Sequence, residues 1–207
     1  MKKSFAIHLF ATICFFSSFK AISQDTLVGP ACVISGSEYQ YNIKGNIPEG
    51  AQLCVAGGKI SGASADCITN LSSGYVRIVW SGSKGSVSFS SSEGNSSIDI
   101  TITLPLQPGS ITTNKVEFIS FKASCSSIFC SKPYGGGCGA SYYFQWQRSL
   151  DNVNWEDIKG ATNQNLGSLP ALTETFFYRR KTTDNTSESP VYSDAVVVYV
   201  APDTNGH

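Results

Sequence analysis

Between Tyr142 and Arg148 the chain reads Tyr-Tyr-Phe-Gln-Trp-Gln-Arg, and this run constrains the fold more than any other. Side chains of an extended chain point alternately to opposite faces. Phe144 and Trp146 therefore share one face, while Tyr143, Gln145 and Gln147 share the other. Such alternation marks a half-buried strand and is incompatible with an amphipathic helix. Thr175 to Arg180 repeats the theme as Thr-Phe-Phe-Tyr-Arg-Arg. Eight aromatic residues crowd into Tyr142–Tyr178, enough to build one sandwich core around a Trp on one strand and a Tyr on another.

The rest of the chain carries the same period. Tyr39-Gln40-Tyr41-Asn42-Ile43, Val76-Arg77-Ile78-Val79-Trp80 and Ile98-Asp99-Ile100-Thr101-Ile102 each place their apolar residues on one face. Leu53-Cys54-Val55 and Lys59-Ile60 flank Gly57-Gly58, which predicts a tight hairpin. Trp155 to Ile158 and Val196 to Val200 read as further strands. No segment keeps helical spacing over three turns, so the class is all-β. Pro105, Pro108 and Gly109 interrupt the pattern and separate two halves, 24–105 and 106–201, with 202–207 a polar tail.

Residues 1–23 read as a cleaved signal peptide. Lys2-Lys3 precede an apolar run from Phe5 to Phe19, and Ala21-Ile22-Ser23 supplies the small residues of a cleavage site. The run is short of the roughly 20 residues that a membrane span needs. Losing Lys2, Lys3 and Lys20 with the leader turns a chain of zero net charge slightly acidic. An acidic balance disfavours nucleic acid or an anionic membrane as a partner. Arg179-Arg180-Lys181 lies within a strand, which splits its charges between faces and reads as a solvated strand edge. Six cysteines remain: Cys32, Cys54, Cys67, Cys125, Cys130 and Cys138. In an exported chain they are disulfide candidates with 15 possible pairings, three cysteines falling in each half. Either one bridge joins the halves or each half keeps a free thiol.

Catalytic groups are scarce. The two histidines are His8, in the leader, and His207, in the tail, so nucleophile–histidine pairs have no base. Cys125, Cys130 and Cys138 lack a fourth neighbour for zinc and read as a disulfide-stapled loop. Glu156-Asp157 is the sole adjacent acidic pair, and alternation sends its carboxyls to opposite faces, away from joint glycosidase work. Gly135-Gly136-Gly137 has no following Lys-Ser/Thr to cradle phosphate and reads as loop backbone. No calcium-loop pattern occurs. The expectation is a non-enzyme without metal or cofactor. Trp80 and Trp146 sit on apolar parities and belong to the core. Trp155, just after a turn, is the one candidate sugar platform.

Phe144-Gln145-Trp146-Gln147, Asp151-Asn152-Val153-Asn154-Trp155, Ile158-Lys159-Gly160-Ala161-Thr162 and Phe177-Tyr178-Arg179-Arg180 resemble the tandem immunoglobulin-like modules of bacterial secreted surface proteins. Gly29-Pro30-Ala31-Cys32, Tyr39-Gln40-Tyr41, Gly57-Gly58-Lys59-Ile60 and Val79-Trp80 resemble the polycystic-kidney-disease-like modules found beside them. The resemblance implies two consecutive immunoglobulin-like β-sandwiches, the second with a Cys-rich loop. It implies a secreted, non-catalytic adhesive or structural unit whose partner is an extracellular protein or glycan surface. A carbohydrate-binding module is the alternative, and an accessory or inhibitor of a secreted hydrolase is a further one. Tyr178 stands where an antibody-type sandwich carries its second core cysteine. In such a sandwich the loops before the Trp strand and after the Tyr strand emerge at one end. Here these are Cys125 to Gly139, with Lys132 and Tyr134, and Asp184 to Pro190, with Asp184, Asn185 and Glu188. Together with Trp155 they are the expected ligand contacts.

Overall fold

A computed structural model describes residues 26–45, 47–69, 71, 74–114, 116–186 and 189–203. The expected leader, both histidines and Glu188 lie outside these residues. Among the described residues every helix or strand is a β-strand, and no helix is long and apolar enough to cross a membrane. The chain folds as two consecutive immunoglobulin-like β-sandwiches.

The first sandwich contains β1 (Thr26–Val28), β2 (Cys32–Ile34), β3 (Glu38–Lys44), β4 (Gln52–Ala56), β5 (Gly58–Ile60), β6 (Cys67–Thr69), β7 (Tyr75–Trp80), β8 (Lys84–Ser91) and β9 (Gly94–Thr103). One sheet has the order β1-β3-β7-β5 and the other β2-β9-β8-β4-β6. Splitting the first, third and seventh strands from the fourth, eighth and ninth is the immunoglobulin arrangement. The alternations read from sequence supply the core: Tyr41, Ile43, Ile78, Trp80, Leu53, Val87, Phe89 and Ile100 are all buried. Tyr41 meets Trp80 edge-on at 5.8 Å and donates its hydroxyl proton to Pro30 O at 2.8 Å, so its polar tip is satisfied inside the core.

The expected Gly57-Gly58 hairpin does not form. β4 pairs with β8, whereas β5 pairs with β7 in the opposite sheet, so the two glycines carry the chain from one layer to the other. Gly57 has φ 76°, and a Cβ on Gly58 would come within 2.8 Å of the Trp80 ring. The corner needs glycine for its backbone angle and for its closeness to the indole.

The second sandwich contains β10 (Val116–Ile119), β11 (Tyr142–Ser149), β12 (Glu156–Asp157), β13 (Phe176–Asp184), β14 (Val191–Tyr192) and β15 (Val196–Val200). They form one sheet in the order β10-β15-β13-β11-β12, with β14 also on β13. Where the final strand breaks between β14 and β15, Ser193 maintains the ladder: its N–H donates to Arg180 O, and its Oγ accepts from Arg180 N–H, both at 2.9 Å. The facing layer is irregular. Isolated antiparallel bridges join Gln107 to Tyr134, Ile111 to Cys130, Ile128 to Leu166 and Ser124 to Ala171. Segment 124–134 is thus the middle of a three-segment ribbon, flanked by 107–111 and 166–171.

This corrects the reading of Cys125 to Gly139 as a stapled loop. Its first ten residues are a core layer, with Cys125, Ile128 and Cys130 packed against Trp146, Tyr178 and Val198. Cys125 and Cys130 are buried free thiols and form no disulfide. The Cys125 thiol instead donates to Glu117 Oε2 at 3.2 Å. Burial, reinforced by Glu117, pushes that thiol up to about 12. Tyr178 is itself fully buried where an antibody-type sandwich would offer Cys125 a partner cysteine.

Cys54 and Cys67 bridge neighbouring strands within the first sandwich, and Cys32–Cys138 joins the two sandwiches. Around that second bond the modules touch. Gly136 N–H donates to Leu104 O at 2.9 Å. Ile34, Ser37, Pro105, Leu106, Thr186, Ser189 and Val191 line a junction crevice of about 560 Å3. Gly135, Gly136 and Gly137 press respectively on the Pro105 carbonyl, the Asp184 carboxylate and the Thr186 side chain, leaving no room for a Cβ at any of the three.

Candidate interaction face

The expected ligand contacts are dispersed. Asp184 is buried, and its carboxylate accepts from Thr186 N–H at 3.0 Å and Thr186 Oγ1–H at 2.9 Å. Thr186 Oγ1 in turn accepts from Gly137 N–H at 2.8 Å, and Asn185 Oδ1 accepts from Ser141 N–H at 2.9 Å. The two loops do meet at one end, as expected. That end faces the first sandwich, because loops before the Trp strand emerge where the preceding module attaches. Asp184 and Asn185 therefore build the junction. Lys132 and Tyr134 are exposed, and Tyr134 borders a shallow depression with Gln107, Pro108, Gly109, Ser110 and Asp194. Trp155 lies at the other end of β11, level with Ser149, seven residues of strand and so roughly 24 Å along the sheet from Asp184.

Around Trp155 the outer face of the sheet becomes a built surface. Strand register puts Gln147 beside Arg179, Lys181 beside Tyr192, Phe177 beside Val197, and Phe118 beside Tyr199. The Arg179 guanidinium lies 4.1 Å from the ring centroids of both Trp155 and Tyr192. Its Nε–H donates to Gln147 Oε1 at 2.9 Å, and Gln147 Nε2–H donates to Asp157 Oδ1 at 2.7 Å. Burial against the rings lowers the guanidinium pKa from its ordinary value. Toward the opposite edge, Phe118 stacks on Tyr199 at 5.2 Å, and Phe118 is 78% exposed. Val116 and Tyr143 are exposed on the same face.

Trp155 is therefore not an open platform, since Arg179 covers one of its faces. Its other surroundings form a groove of about 400 Å3 with Arg148, Ser149, Asp151, Asn154, Glu156 and Phe176. Arg148 lies 5.0 Å from the Phe176 ring centroid, and its Nε is 2.5 Å from Glu156 Oε1. Asp151 shapes the turn ahead of Trp155. It accepts from the backbone N–H of Asn154 and Val153, from the Asn154 amide and from the Ser149 hydroxyl, which hold its carboxyl well below the usual carboxylate range. Glu156 and Asp157 point to opposite faces, as alternation requires, one toward Arg148 and the other toward Gln147.

The Arg179-Arg180-Lys181 reading needs correction. β13 is interior to the sheet, so Arg180 has no exposed surface and is no part of a solvated edge. Its Nη1–H donates to Gln164 O at 2.7 Å, and its Nη2 donates to Ser131 O at 2.9 Å and to Pro108 O. Phe144 stacks on it at 4.4 Å. Sequence reasoning missed the Phe118–Tyr199 pair because it depends on a parallel pairing of strands far apart in the chain.

Residues 107–202 match the model of a domain of unknown function, DUF8696. No curated protein matches the sequence. Among solved structures, the chain is similar to three N-terminal domains of the Highly Immunogenic Outer Capsid protein of bacteriophage RB49. That match has 10% identity and a TM-score of 0.44, covering 85% of this chain and 59% of that one. It is also similar to the N-terminal four immunoglobulin domains of Dscam1 isoform 6.9, with 14% identity, a TM-score of 0.38, and 82% and 42% coverage. An I-band fragment of titin matches at 9% identity and a TM-score of 0.43, with 86% and 63% coverage. The chain thus spans less than two thirds of each of these structures, and the likeness is one of fold.

Proposed function

We propose that this chain is an exported, non-catalytic binding module that meets an extracellular partner through the outer face of β10-β15-β13-β11-β12. The single observation carrying this reading is the row of aromatic side chains on a sheet face that no other layer of the described residues covers: Tyr143, Trp155, Tyr192, Phe177, Tyr199 and Phe118. A phenyl ring left 78% exposed and stacked on a Tyr contributes little to folding and offers a large rigid contact for a partner. Two disulfides and a sequence that begins like a secretory leader support export. The tandem-module resemblance of the sequence supports an adhesive or structural role.

The test is binding of the purified chain to an array of glycans and extracellular matrix proteins. A Phe118→Ser/Tyr199→Ser variant with unchanged circular dichroism should lose the signals of the parent. Undiminished binding by that variant excludes this face.

A second reading, carbohydrate binding, is favoured by the groove in which Trp155 and Phe176 sit beside the Arg148–Glu156 pair. It predicts glycan signals that Glu156→Gln removes and Phe118→Ser/Tyr199→Ser leaves intact.

A further inference from the structure

We infer that Arg179 is the anchor of this face and receives the carboxylate of an Asp or Glu side chain on a partner protein, an inference that rests on the binding reading above. Arg179 and Arg180 are adjacent on β13, and the contrast between them is informative. Arg180 is fully buried and its terminal nitrogens are spent on three backbone carbonyls. Arg179 spends only Nε, on Gln147, and among the described residues it takes part in no ion pair. The Trp155 and Tyr192 rings each lie 4.1 Å from its Cζ, and with Nε engaged by Gln147 the donors left for a ligand are the terminal amino groups. A planar pair of N–H donors matches the two oxygens of a carboxylate.

The site is preorganised. Two rings restrain the guanidinium, Gln147 fixes its rotation, and Asp157 fixes Gln147. Ordering a long side chain at the moment of binding costs conformational entropy, and here that ordering precedes the ligand.

Shape and charge select the occupant. Phe177, Val197, Tyr199 and Phe118 continue from Arg179 across neighbouring strands. Five strands spaced about 4.8 Å apart give a flat surface roughly 20 Å wide, which fits another protein better than a single polysaccharide chain. A second copy of this chain meeting the face symmetrically would set Arg179 and Lys181 against the same two cations. An acidic partner surface complements them.

The experiment measures retention of the full chain on immobilised poly-L-glutamate and on polygalacturonate, which present carboxylates on a polypeptide and on a polysaccharide. Both Arg179→Gln and Arg179→Lys should weaken retention on poly-L-glutamate at least tenfold, because Lys keeps the charge and loses the fork. Lys181→Gln should weaken it less than threefold. Without any mutation, the Arg179 Nε–Hε resonance should shift on adding Ac-Leu-Glu-Leu-NH2 and stay in place with Ac-Leu-Gln-Leu-NH2. Equal losses for the Arg179 and Lys181 variants, an unmoved resonance, or stronger retention on polygalacturonate would overturn the inference. So would a dimer, seen by light scattering, that Arg179→Gln disperses. If Phe118→Ser/Tyr199→Ser abolishes array binding while Arg179→Gln does not, the face stands and the anchor falls. If neither matters, both fall.

Discussion

Arg180 stands directly opposite Trp146 in the register of β11 and β13, and neither has any exposed surface. A buried cation therefore sits at the centre of an aromatic core, held by carbonyls from the inter-module segment, from the Cys-containing ribbon and from the stretch before Leu166. Arg180→Lys keeps the charge and cannot reach three carbonyls at once, so it should cost about 3–5 kcal/mol. Arg180→Met leaves the carbonyls without donors, removes the desolvated charge, and should cost less. Urea melts of the two variants give the order. A Lys variant as stable as the parent would mean that the fork geometry is dispensable.

Trp146 and Trp155 differ in what they hold. Trp146 is fully buried, and its indole N–H donates to Asn163 O at 3.1 Å. Trp146→Ala should cost roughly 3–5 kcal/mol. Trp155→Ala opens one side of a surface stack and should cost about 1 kcal/mol. Equal losses in denaturant melts would contradict this burial difference.

The two free thiols should be inert. Native protein at pH 8 should react with neither Cys125 nor Cys130 in a disulfide-exchange titration, and both should react in denaturant. Burial raises the Cys125 thiol from an ordinary 9.0 to about 12, and Tyr41 and Tyr178 from 10.0 to about 12. Raised values favour the protonated, folded form. Their stabilisation is complete below pH 9 and is lost as the pH rises toward 12. Melting temperatures should fall across that window, less steeply in Cys125→Ala.

Gly136 has φ 81° and packs against the Asp184 carboxylate. Gly136→Ala adds a strained backbone and a collision at the junction, and should cost about 1–3 kcal/mol. Gly160 also has positive φ, at 76°, but no atom within 4 Å of a would-be Cβ, so Gly160→Ala isolates the backbone part of the effect. Similar melts for the two variants would show that the Asp184 contact carries no weight.

Period-two alternation was enough to identify Tyr41, Ile78, Trp80 and Trp146 as inward-facing, because parity is local, whereas Tyr178 was placed by the resemblance to an immunoglobulin-like core. It failed on 124–134, where Ser126, Ser127, Ser131 and Pro133 hide a core layer whose burial depends on segments 166–171 and 107–111. It failed on Arg180 for a similar reason: the carbonyls that accept its protons come from residues up to 72 positions away. Cysteine pairing was open in the sequence, and the bond between modules emerges only once Cys32 and the Gly135–Gly139 turn are brought together. The outer face was half legible. The polar parity of Gln145 and Gln147 was plain, whereas the aromatic half of the face is assembled from β10, β14 and β15.

The Cys32–Cys138 bond also determines how tension would travel through the molecule. Pulled from its ends, the chain transmits load from β1 to Cys32, across the sulfurs to Cys138, and on into β11. Everything from residue 33 to residue 137 becomes a covalently closed side loop that bears no load, including nearly all of the first module and the ribbon of the second. Reduction returns 105 residues to the load-bearing path, a gain in contour length of roughly 350 Å at about 3.4 Å per residue. While oxidised, the protein can lengthen only through the residues outside the bond, so nearly all of the first module stays folded under a pull that unravels the second.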